Sequence, residues 1–149
     1  MEQEDIERIV TAALATLYEQ NLGILRLDVA ARTIWARLAA LLQPSFDRHE
    51  VHTEYNRHGV FPQEIELPNA QGVPTTGRVH PDIVVQQPGH DEENILVIEA
   101  KKTTNAIPDE ADLAKLAQIK RQIGYRFALF LRPPSGPGAA AACIRTVWV

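Results

Sequence analysis

A single cysteine, Cys143, stands in 149 residues. It excludes an internal disulfide and a cysteine-rich zinc site, and such sparse use fits a cytoplasmic protein. No apolar run approaches the ~20 residues that span a bilayer, so no membrane association is expected. The opening Met1-Glu2-Gln3-Glu4-Asp5 is acidic, the wrong charge for a secretory leader. Neither GxGxxG nor GxxxxGK[ST] occurs, which removes the usual dinucleotide and P-loop readings. Serine is scarce as well. Ser45 and Ser135 are the only two, and Ser135 lies in a Pro/Gly run without a nucleophile-elbow pattern.

Positive charge is also in short supply. The net charge is −4, and a strong basic footprint for nucleic acid is lacking. Its distribution softens that objection. Residues 1–20 hold five acids and one base, while residues 100–132 hold seven bases and three acids. A locally positive face is therefore compatible with the sequence. Five histidines raise the question of zinc. His49 and His52 are three apart, on opposite faces of a strand, and no second pair follows.

What is present is the composition of one globular domain, with 45% hydrophobic and 23% charged residues. Ile6, Ile9, Val10, Ala13, Leu14 and Leu17 follow the amphipathic helical period, and Gly23 marks a stop. Asp28 is placed to cap a second helix carrying Ala31, Trp35, Leu38 and Leu42, ended by Pro44. Residues 1–44 thus read as two N-terminal helices. The period then changes. Residues 51–56 alternate as a half-buried strand, and 61–67 is a weaker strand. Residues 69–77 read as a loop. Residues 79–86 and 94–102 form an antiparallel hairpin around an exposed acidic turn at 88–93. Pro108 and Asp109 open a helix to Ile123, closed by Gly124. Strands at 125–131 and 142–149 finish the chain. The class is α/β, a mixed central sheet flanked by helices, with its core in residues 50–132 and a terminal strand at 142–149.

The run Ile95-Leu96-Val97-Ile98 is apolar, and then Glu99 and Lys101 follow on one face. Asp82, beside Pro81, sits in the partner strand near the same end. Two converging carboxylates repel unless a proton or a metal lies between them. Oxygen ligands of this kind suit Mg²⁺, with Mn²⁺ as a substitute. Lys101 then stands as a cation near a metal and its water, able to stabilise charge on a phosphate. Taken singly, each of these residues is more simply a member of a surface ion pair. Their joint placement on adjoining strands favours a site.

Pro81-Asp82, sixteen residues, then Glu99-Ala100-Lys101 resembles the PD-(D/E)xK nuclease superfamily of restriction-endonuclease-like folds. The resemblance implies an αβββαβ core and hydrolysis of a nucleic-acid backbone, with DNA ahead of RNA. It implies Asp82 and Glu99 as metal ligands and catalytic residues, the Ala100 carbonyl as a further ligand, and Lys101 as the catalytic lysine. An additional upstream acid is expected; Glu54 is the candidate, with Glu50 as its substitute. Supporting or substrate-contacting roles fall to Arg78, His80, Lys102, Asp112 and Lys115. Asp112 shares a helix side with Leu116 and Ile119, where the first-turn dipole is the plainer explanation of an acid. With no recognition domain visible, a homodimer or a protein partner would supply targeting. The alternative is a catalytically silent nuclease-like fold that binds nucleic acid or assembles with protein. A third reading is an unrelated α/β domain whose motif is accidental.

Overall fold

The computed structural model describes residues 1–149. Three helices come first: α1 (Gln3–Gln20), the short α2 (Leu22–Arg26) and α3 (Ala31–Leu42). The predicted pair is therefore a trio, because Gly23 lies inside a further helical turn instead of ending the pattern. Asp28 does not cap α3 either. The position before that helix is Ala30, without a side-chain cap. Asp28 has a φ of 53° and its carboxylate is taken by Lys102, 2.9 Å away. A long-range ion pair has displaced the local cap.

Nine strands follow. β1 (Glu50–Thr53), β6 (Ile83–Gln86), β7 (Leu96–Ala100), β8 (Phe127–Arg132) and β9 (Arg145–Trp148) form one mixed sheet in that spatial order. Between β1 and β6 the chain makes two small hairpins, β2 (Arg57–His58) with β3 (Phe61–Pro62), and β4 (Glu64–Pro68) with β5 (Pro74–Arg78). Part of the expected loop at 69–77 is thus strand. Every residue of β5 is exposed, so no apolar alternation marks it. The expected strand 79–86 starts four residues late for the same reason, since Arg78 belongs to β5 and Val79 to Asp82 form the turn between. In the 88–93 turn, Asp91 and Glu93 are half-buried instead of exposed, because His58 and His49 reach them at 2.8 Å.

α4 (Glu110–Ile119) crosses from β7 to β8 and makes these two strands parallel. Its end widens into a π-type turn over Lys120–Gly124, where Gly124 takes a φ of 94° open only to glycine at low cost. The last strand is shorter than expected, since Ala141–Cys143 forms a 3₁₀ turn. No helix is long and apolar enough to cross a membrane.

The sheet is covered on both sides. Ile83, Val85, Leu96, Ile98, Leu129 and Leu131 turn one face to α1 and α3. Val84, Val97, Ala128 and Phe130 turn the other to Leu116, Ile119 and Ile123 of the α4 region. Strands buried on both faces explain the unbroken apolar runs in β6 to β8. The N-terminal helices are part of the main core, not an appendage. Ile34, Leu38 and Leu42 of α3 are fully enclosed. Truncating such a leucine to alanine costs about 2–5 kcal/mol.

Candidate functional site

The strand register builds the site. β6 and β7 pair as Ile83↔Ile98, Val84↔Val97 and Val85↔Leu96. One step further along the same register sets Asp82 opposite Glu99. Asp82 is fixed there by a hydrogen bond, since the Ala100 N–H donates to its Oδ2 at 2.8 Å. β1 and β6 pair as Thr53↔Ile83, so the next step brings Glu54 alongside Asp82. The Glu54 N–H does donate to the Asp82 carbonyl, at 3.3 Å. Three acids therefore follow one another across the ends of three adjacent strands.

The row is not regular at Glu54. Its φ is 53°, unusual for a residue with a side chain. Its carboxylate lies 3.9 Å from Arg32 of α3. Glu54 therefore reaches the sheet end but directs its charge to α3. Glu50, the substitute, sits at the far end of β1 opposite Gln86 and pairs with His52. Four residues of strand, about 13 Å, separate it from the site row, too far to share a metal with Asp82.

Glu99 is 7% exposed. Burial, and then the neighbouring charge of Asp82, push its carboxyl up to about 8, against the opposing pull of Lys115. Burial raises Asp82 as well, opposed by the Ala100 N–H. Each acid lies close enough to perturb the other. At neutral pH the pair accordingly holds one proton between them. Lys115 Nζ stands 3.5 Å from Glu99 Oε1, near enough for an ion pair. That oxygen is nonetheless buried without a hydrogen-bond partner. The Lys115 ammonium is the cation that meets it.

Lys101 lies on the same side but is engaged elsewhere. Its ammonium pairs with Asp112 of α4 and donates to the Pro108 carbonyl at 3.2 Å. The cation beside Glu99 is that of Lys115, one helical turn further along α4 from Asp112. Strand acid to helix lysine and strand lysine to helix acid make two crossed pairs. The half-burial of Asp112 and its bond to Lys101 account for an acid on the inner side of α4 better than the helix dipole does. Sequence reasoning placed Lys115 only as a supporting residue. The available signal was the opposite order of charges at 99/101 and 112/115.

The other expected residues stand apart. Lys102 ties the end of β7 to the α2–α3 connection through Asp28 and the Val29 carbonyl, and Lys102 holds the Asp28 carboxyl below its ordinary range. Its ammonium is thereby occupied within the fold. Arg78 pairs with Glu64 at 3.7 Å. His80 is exposed. Arg78 and Lys115 share the wall of a groove of about 280 Å³ beneath the β4–β5 hairpin. Arg132, not anticipated, locks the segment that carries Lys101. Its guanidinium binds Asp109 and the carbonyls of Lys102, Asn105 and Ile107.

Two carboxylates and the Ala100 carbonyl could supply three oxygen ligands to one cation. That set fits Mg²⁺ or Mn²⁺, which take oxygen and keep several waters. The convergence of Asp82 and buried Glu99 at one strand end is the observation that favours the fit. No part of the chain, this sheet end included, gathers three or more His, Cys, Asp or Glu side chains in a group that could hold a metal ion.

Known proteins add nothing to this picture. No protein-family model, curated protein or solved structure matches the chain. The reading of the site rests on its own chemistry.

Proposed function

We propose that this protein is a divalent-metal-dependent nuclease with a restriction-endonuclease-like core. The observation that carries the reading is the pair Asp82 and Glu99, set opposite each other at a buried sheet end with Lys115 beside them. The order α3, β1, β6, β7, α4, β8 supports it, since three antiparallel strands followed by a helix and a parallel strand agree with an αβββαβ core. A divalent cation, when bound, supplies Lewis acidity and a water of lowered pKa.

The chain's own residues do the rest. Asp82 and Glu99, freed of their shared proton, and the Ala100 carbonyl would hold the cation, and the Ala100 N–H keeps Asp82 in place. Lys115 compensates the charge of Glu99. Lys101, held by Asp112 until substrate enters, meets the charge that builds on the phosphate as water cleaves the diester. DNA is the favoured substrate.

The test is incubation with plasmid, single-stranded DNA and RNA, in Mg²⁺, in Mn²⁺ and in chelator. Cleavage is expected with metal only. Lys101→Ala should lose about 10²–10³-fold of the rate, the usual loss on removing one group that stabilises developing charge. Cleavage by Lys101→Ala or Glu99→Ala at the wild-type rate would sink the proposal. The engagement of Lys101 by Asp112 favours a second reading, a silent nuclease-like module that binds nucleic acid or assembles with a protein partner or a second copy. It is the reading left standing if no substrate is cut, Mn²⁺ titration gives no heat, and a stable partner or dimer is found.

A further inference from the structure

Asp82 belongs to two features at once. Besides meeting Glu99, it closes one side of a cleft of about 400 Å³ between the first two turns of α3 and the end of β1. Trp35 and Ala36 form the apolar side of the cleft, and Arg32, Thr33 and Thr53 stand around it with Glu54. We propose that this cleft is the subsite that holds one nucleotide unit of the substrate strand, with Arg32 as the cation on its phosphate. The inference rests on the nuclease reading and adds to it the residue that grips the strand.

Size is the first argument. The volume lies at the small end of the ~300–1,000 Å³ of ligand clefts, suited to a single nucleotide unit. Charge is the second. The Arg32 side chain is 79% exposed, and its pair with Glu54 is long, at 3.9 Å. An exposed pair of that length contributes little and yields to a better partner. A phosphate is such a partner, because the guanidinium fork matches two of its oxygens. The third argument is the donor set. Thr33 and Thr53 are exposed, and each offers a hydroxyl to a phosphate or a sugar. The fourth is the backbone of Glu54. Its φ is 53°, unusual for a residue with a side chain, and its carboxylate faces Arg32 across the same cleft.

The same geometry says what the cleft does not read. Trp35 is 4% exposed, too covered to serve as a stacking platform. With Trp35 covered and the donors of the cleft assigned to phosphate and sugar, binding there should depend little on base identity.

Thymidine 3′,5′-bisphosphate, titrated calorimetrically in chelator, tests the site without cleavage. Asp82→Asn serves as the parent, because it removes the acid that repels the probe. Saturable binding is expected in that parent. Arg32→Ala in the same background should weaken it by about tenfold, the worth of one charge-assisted contact, and Arg32→Lys should restore part. The adenine bisphosphate should bind alike. In the wild-type background, Arg32→Ala should raise KM for DNA about tenfold and leave kcat within about twofold, the signature of lost ground-state binding. Equal binding with and without Arg32, or binding of plain thymidine as tight as the bisphosphate, would overturn the proposal. Arg32 lies on the surface, so its variants will fold. If wild type cuts DNA while Arg32→Ala changes neither binding nor KM, the cleft proposal alone fails. If Arg32-dependent binding is found with no cleavage by wild type, the nuclease reading fails and the phosphate site stands.

Discussion

Glu99→Gln removes a charge without changing shape, and it should make the metal-free protein more stable. In the folded chain Glu99 is buried opposite Asp82, and its carboxyl rises to about 8 from an ordinary 4.5. A raised acid pKa means that the folded state binds the proton more tightly than the unfolded state. Stability linked to this group is fully present below pH 4.5 and is lost as pH rises towards 8. At pH 7 the unfolded carboxyl is ionised while the folded one keeps its proton, a difference on the order of 3 kcal/mol. Glutamine has no such proton to lose and still offers an oxygen to Lys115. Part of the gain is offset because Lys115 loses its charged partner. A gain of about 1–3 kcal/mol at pH 8 is expected, or roughly 3–10 °C in Tm for a chain of this length. The gap should narrow steadily towards pH 5. Thermal melts of both proteins from pH 5 to pH 8.5, in chelator, give the comparison. Adding Mg²⁺ should then raise the Tm of wild type and leave the variant unmoved. A variant less stable than wild type at pH 8, or a gap that ignores pH, would refute the reasoning.

Three other outcomes are expected. Arg132→Ala should cost about 1–3 kcal/mol, since it removes the donors to three carbonyls and frees the 101–109 segment while Asp109 keeps Arg145, and limited proteolysis should then cut in that segment. Arg132→Lys should not rescue it, because one ammonium cannot reach three carbonyls and a carboxylate. Lys102→Ala should lower the midpoint of denaturant melts while cleavage stays at the wild-type rate, since the Lys102 ammonium is occupied by Asp28 and the Val29 carbonyl. A drop in kcat for that variant would restore the role first expected of it.

How far the sequence revealed the site depends on range. Apolar runs in β6 and β7, and the parity of Asp82, Glu99 and Lys101, are local signals, and they sufficed to bring the two acids together. The inward stripe of α1 was equally local. Three things were hidden because they depend on distant parts of the chain. Asp28 looked like a cap until Lys102, far along the sequence, took its carboxylate. The strand β5 carried no pattern, since neither of its faces is buried. The partner of Glu99 could not be chosen between Lys101 and Lys115 without knowing where α4 lies on the sheet. Glu54 could be placed next to Asp82 by counting, but not the left-handed turn that sends its side chain to Arg32.

The crossed pairs also bear on how an acidic chain would bind a polyanion. Asp82, Glu99 and Asp112 face Lys101 and Lys115 around one sheet end. With one proton shared between Asp82 and Glu99, these five groups are neutral together at pH 7. A divalent cation at the acid pair must displace that proton, because a carboxylate ligand binds deprotonated. The group then becomes net positive, and the attraction for phosphate appears only once the cation is in place. On the proposed function, nucleic-acid affinity is therefore gated by metal and not supplied by a basic surface. The consequence is measurable as proton release. Mg²⁺ titrated into wild type at pH 7 should release close to one proton, read from the dependence of the apparent heat on the ionisation enthalpy of the buffer. Glu99→Gln should release almost none. Full heats of binding with no buffer dependence in wild type would show that the acids do not share a proton, and the metal gate would fall with it.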